Sequence, residues 1–195
     1  MAAPAPSPFT IDLMLPSLRA ALLSAAVVLL PLAGASAQTP PAGAKGTGLP
    51  RINVGALPPE AARAVGAAYA EAKSRPGDAA AVGQLAIVLH AWEQWEDAAA
   101  AYDAAQQLAP GDYRWWHLAG LMETRRGRHT EALALFDRAS GLAPGNRAVQ
   151  LRVAEASLES GDLERAAALF AKVAGDPRTA AAAEYGLGRI ASARP

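Results

Sequence analysis

Residues 113–146 read YRWWHLAGLMETRRGRHTEALALFDRASGLAPGN. Two stretches of helix-period apolar residues, 113–125 and 129–141, flank Gly127, and Pro144-Gly-Asn146 closes the block. Gly suits a tight inter-helix turn, Pro stops a helix, and the Asn or Asp after it caps the next one. The block is one of a series, because Pro76, Pro110, Pro144 and Pro177 stand 34, 34 and 33 residues apart. A fixed period of that size predicts helix pairs stacked in a row, each burying its apolar stripe against its neighbours.

The flanking blocks repeat the signals. Residues 79–112 predict helices at 79–91 and 95–108, and residues 147–177 predict helices at 147–159 and 163–174. Gly161 takes the inter-helix place of Gly127, whereas the first block has Glu93-Gln94 there. Asp78, Asp112 and Asn146 stand where N-caps belong. Ala98, Ala132 and Ala166 recur in each second helix, and Ala86, Gly120 and Ala154 in each first. Side chains this small let paired helices approach closely at their crossing. Tyr102, Phe136 and Phe170 fill the volume beside those contacts, and Leu85, Ala119 and Val153 complete the predicted core. A cap helix over 60–75, opened by Pro59-Glu60, precedes the three blocks, and a terminal helix over 179–193 follows, so the repeat domain spans 60–193.

Composition narrows the function. The chain has 195 residues, no cysteine, three histidines and a formal net charge of zero. Balanced charge gives no reason to expect nucleic acid as a partner. The absence of cysteine removes disulfides, thiolate nucleophiles and zinc-thiolate sites. Residues 1–37 read as a secretory leader. Arg19 precedes an apolar run from Ala20 to Leu30, Pro31 breaks it, and Ala35-Ser36-Ala37 offers a cleavage site after Ala37. Met14 is a second start, which makes 1–13 an overextended beginning. The Pro- and Gly-rich residues 38–59 read as a linker, with Ile52, Val54 and Leu57 able to lie back on the first helices. A periplasmic or secreted protein without stable membrane insertion is expected.

In their register the blocks resemble the tetratricopeptide repeat. The match rests on Trp116, Ala119-Gly120, Gly127, Ala132, Phe136, Ala139 and Pro144. It extends to Leu85-Ala86, Trp95, Ala98, Tyr102, Ala105 and Pro110, and to Val153-Ala154, Gly161, Ala166, Phe170 and Val173. The resemblance implies an all-α fold, a right-handed superhelix of antiparallel helix pairs whose first helices line a concave, partner-binding groove. It places Gln84, Ile87, His90, Arg114, His117, Leu121, Arg125, Arg152 and Glu155 in that groove. The family's carboxylate-clamp variety uses Lys and Asn at positions that here hold His117 and Leu121, or Gly83 and Ile87, so that clamp is absent.

Trp92 and Trp115 match no family packing position and are a candidate exposed hot spot at one edge of the stack; the alternative is that they cover the seam between blocks. The histidines lack ligand spacing, and no metal or other cofactor is expected. Neither a nucleophile elbow nor a phosphate loop is present, and no acid–base set converges. The expectation is a non-catalytic protein- or peptide-binding scaffold of the bacterial cell envelope. The alternatives are a structural subunit that self-associates through its terminal helix and an accessory subunit of an envelope enzyme complex.

Overall fold

The computed structural model describes residues 48–193; the predicted leader and its cleavage site lie outside them, as does the first half of the predicted linker. The described residues form eight α-helices and no strand: α1 (Pro59–Ser74), α2 (Ala79–Ala91), α3 (Trp95–Leu108), α4 (Tyr113–Arg125), α5 (His129–Leu142), α6 (Arg147–Glu159), α7 (Leu163–Val173) and α8 (Ala180–Ala193). The fold is an all-α solenoid. Connections of a few residues force each helix back along the one before it. Thus α2 pairs with α3, α4 with α5 and α6 with α7; α1 packs on α2 at one end and α8 on α7 at the other.

The turn chemistry sets the helix starts. Asp78 accepts from Ala80 N at 2.8 Å and also from Ala81 N, Asp112 accepts from Arg114 N at 3.0 Å, and Asn146 accepts from Ala148 N at 3.1 Å and Val149 N. Each satisfies backbone donors that have no intrahelical acceptor. Asp162 does the same for α7 through Arg165 N.

The inter-helix turns share one backbone shape. Gly127 and Gly161 have φ of 73° and 87°, and Glu93 adopts φ of 57° in the same place. That left-handed conformation suits glycine, while a side chain there costs on the order of 1 kcal/mol. Glu93→Gly is therefore expected to stabilise the protein by roughly 0.5–1 kcal/mol, because the ion pair it loses with Arg125 is solvent-exposed and contributes little. A thermal melt checks this; a midpoint that stays put or falls contradicts it.

The core is built from small residues facing rings. Ala98, Ala132 and Ala166 are fully buried, as are Tyr102, Phe136 and Phe170. Gly120 makes room for Phe136: a Cβ on Gly120 would come within 2.6 Å of the Phe136 ring. Gly186 in α8 gives Phe170 the same room. Buried side chains fall into a large cluster from Val65 to Met122, a small central one of Ala132, Phe136, Val153 and Ala156, and a third from Leu151 to Ile190. Before α1, a 3-10 turn at Val54–Ala56 lets Leu49, Ile52 and Leu57 rest on the first cluster, with Val54 against Gly66.

Candidate peptide-binding groove

The first helices of the pairs, α2, α4 and α6, form one row, continued by α8; α2 touches α4 and α6 touches α8. Each buries one face against its second helix and leaves another uncovered. On that face Gln84, Arg114, Arg125 and Arg152 are exposed, and Ile87, His90, His117, Leu121 and Glu155 are half-buried. Leu118 and Leu158, also half-buried, add apolar surface between the polar groups.

Each arginine in the row is held by a carboxylate. Arg114 makes a bidentate bond to Asp112, with 2.6 Å from Nη2 to Oδ2, and lies over the Trp115 ring. Arg125 reaches Glu93 at 3.4 Å and covers the ring of Trp95. Arg152 bonds Glu155 at 2.7 Å. Planar guanidinium groups fixed this way retain unused donors pointed outward.

The two groove histidines are anchored in the core margin. His90 Nδ1 lies 3.2 Å from the Tyr102 hydroxyl, and the ring tilts against Trp95 at 5.8 Å. Burial pushes the Tyr102 phenol well above its usual range, so the hydroxyl stays protonated. Burial, then the charge of Arg125, pulls His90 below the ordinary imidazole value. His117 packs on Phe136 at 5.7 Å, and burial, followed by Arg152, lowers it likewise. Both rings are thereby favoured as neutral groups. Among the described residues no three His, Cys, Asp or Glu side chains gather where they could hold a metal ion.

For the tryptophans the structure favours the seam reading at Trp115 over the exposed one. Trp115 is 5% exposed and fills the seam between α2 and α4, directly over Gly83. The indole enters because Gly83 has no side chain, and buried Gln106 donates to the Trp115 carbonyl at 3.4 Å. An exposed edge pair with Trp92 therefore does not form. Trp92 is half-buried on the first cluster, and Trp116 is half-buried beneath Arg138. The basic turn after α4 is tied down by carboxylates. Arg126 is 13% exposed and binds both Glu123 and Glu96 at 3.2 Å, while Arg128 reaches Glu123 at 3.6 Å. His129, which opens α5, is half-buried.

Sequence reasoning missed Arg178. It follows Pro177, the last of the spaced prolines, and so reads as a boundary residue. In the structure it borders a cleft of about 230 Å³ between α4, α6 and the start of α8, lined by His117, Ala148, Leu151, Arg152, Arg178 and Thr179. The signal available was its place just before the first turn of a further first-type helix.

Comparison with known proteins agrees with this geometry. Two family models described as tetratricopeptide repeat match, over residues 93–147 and 124–190. Among solved structures the chain is similar to MamA (residue 41 to the end) from Desulfovibrio magneticus RS-1. There the TM-score is 0.61 at 16% identity, covering 68% of this chain and 75% of that one. It is similar to YrrB, described as a TPR protein with an unusual peptide-binding site, with a TM-score of 0.59 at 19% identity over 68% of this chain and 69% of that one. It also resembles the type III secretion chaperone SycD of Yersinia enterocolitica, solved with a peptide of the translocator YopD; the TM-score is 0.51 at 19% identity, over 56% of this chain and 88% of that one. At such identities the likeness is one of fold. No curated protein matches the sequence. With helix pairing, side-chain register and two family models in agreement, the chain belongs to the tetratricopeptide repeat family.

Proposed function

We propose that this protein is a non-catalytic scaffold of the bacterial cell envelope that binds a peptide or protein segment along the uncovered face of α2, α4 and α6. The observation that carries the reading is the mixed character of that face. Half-buried Ile87, Leu118, Leu121 and Leu158 alternate with the fixed guanidinium groups of Arg114, Arg125 and Arg152. A rigid surface of apolar steps and oriented donors loses little entropy on binding an extended or helical peptide. The peptide-binding site named for YrrB and the bound peptide of SycD support the same use of the fold. The envelope setting rests on the leader-like residues 1–37; no helix among the described residues is long and apolar enough to cross a membrane.

A second reading has one observation behind it. Tyr185 on α8 is 71% exposed, beside Gly188, Arg189 and Ser192, a surface that could join two copies. One experiment weighs both readings. Affinity capture from a periplasmic extract is run with the natural chain and with Arg114→Gln, Arg125→Gln and Arg152→Gln combined. Sedimentation of the same samples reports self-association. The groove reading expects a discrete set of partners lost from the triple variant, with a monomer in the centrifuge. Unchanged capture by the variant refutes the groove, and a dimer with no captured partner favours α8 as the working surface.

A further inference from the structure

We propose that the cleft between α4, α6 and the start of α8 receives a side-chain carboxylate, so that the groove selects peptides carrying Asp or Glu beside apolar residues. This deepens the groove reading above and rests on it.

The lining of the cleft combines cationic and polar residues, Arg152, Arg178, His117 and Thr179, with apolar Ala148 and Leu151, and none of the six is a carboxylate. Both arginines are already positioned. Arg152 spends one nitrogen, Nη1, on Glu155 at 2.7 Å. Arg178 gives Nε at 3.1 Å and Nη2 at 2.7 Å to Asp176. A guanidinium carries five N–H donors in a rigid fork, so each head keeps donors for a further acceptor. The anchoring carboxylate is durable: hydrogen bonds from the Arg178 side chain and then its backbone N–H hold Asp176 down to about 2. Preorganised donors of this kind bind anions without first paying to order themselves.

The helix starts also favour a negative group. Ala148 lies in the first turn of α6 and Thr179 directly precedes α8, so both stand at the positive end of a helix dipole. His117 borders the same cleft. A carboxylic ligand would bring acceptor oxygens to the unused guanidinium donors, while the Thr179 hydroxyl already donates to the Val173 carbonyl at 2.6 Å. The cleft lies within the row of first helices, with α2 behind α4 on one side and α8 on the other. A peptide laid along that row runs past the cleft, so the carboxylate comes from a side chain and not from a chain end. Leu118 and Leu121 on α4 and Ile87 on α2 set the apolar flank.

The test uses the full chain and a positional-scanning decapeptide library in two forms, C-terminal amides and free acids. The expected result is enrichment of Asp or Glu among the amides, at a fixed spacing from Leu, Ile or Val. In the best peptide, Glu→Gln should weaken binding about tenfold for the natural chain. It should change little for the Arg152→Gln, Arg178→Gln double variant, whose circular dichroism and melting midpoint serve as the folding control. Both arginines are largely solvent-exposed, so the variant is expected to fold. Enrichment confined to free acids overturns the side-chain assignment. Peptide binding without acid preference, or an acid preference that survives the double variant, removes the cleft but leaves the groove. Failure of every peptide to bind refutes both.

Discussion

Phe136→Ala is expected to lower stability by about 3–5 kcal/mol and to split the unfolding transition. The ring is 1% exposed and stands in the gap that Gly120 leaves in α4, with His117 against it. It is the largest member of the small central cluster, whose other buried residues are Ala132, Val153 and Ala156. None of these can move far enough to close the hole, because each sits on a helix fixed by its own pair. In a solenoid, stability is the sum of the units and of the contacts between neighbours. The large cluster from α1 to α4 and the cluster from α6 to α8 each have their own apolar contacts. Emptying the middle therefore weakens the link more than either end. A urea titration followed by circular dichroism should show a lower midpoint and a shallower or biphasic transition, the sign of lost coupling. A single transition of unchanged slope and midpoint would show that the central cluster does not couple the two halves.

The repeat was legible because its determinants are local. A proline, a cap and a small residue at fixed spacing act within one helix pair, and Asp78, Asp112 and Asn146 cap as their positions imply. The alanines at the crossings are buried for the same reason: the period that places one places all three. What the sequence hid depends on pairs far apart along the chain. Trp115 could be read as an edge residue or as a cover for the seam because its own helix offers no pocket; the pocket is Gly83, 32 positions earlier, on another unit. Arg126 is held by Glu96 of the preceding unit, a partner that spacing within a repeat cannot reveal. Arg178 joined the cleft only when α8 packed as a further first-type helix. The row of groove residues followed from the family register, yet the carboxylate that holds each arginine there did not.

Two glycine-to-alanine changes should move stability in opposite directions, and the pair isolates what Gly83 does. Alanine in place of an exposed helical glycine stabilises by roughly 0.5–1 kcal/mol, since it reduces the freedom of the unfolded chain. Gly188 in α8 is such a place: a Cβ there meets nothing within 4 Å. Gly188→Ala should therefore raise the melting midpoint. Gly83 also lies inside a helix, but a Cβ there would come within 2.3–2.7 Å of three carbons of the Trp115 six-membered ring. The indole is buried in the seam, so swinging it out would expose its apolar surface to water. Overpacking of this kind costs about 1–3 kcal/mol, which exceeds the helix-propensity gain, so Gly83→Ala should destabilise. The cause can be separated from any general intolerance of α2. Trp115→Phe removes the outer part of the indole and leaves a void when made alone. Combined with Gly83→Ala, that void receives the new methyl group, so the double variant should be more stable than the sum of the two single effects predicts by on the order of 1 kcal/mol. Strict additivity in that cycle, or a Gly83→Ala variant as stable as Gly188→Ala, would mean that the fit of indole against bare backbone does not hold the first two repeats together.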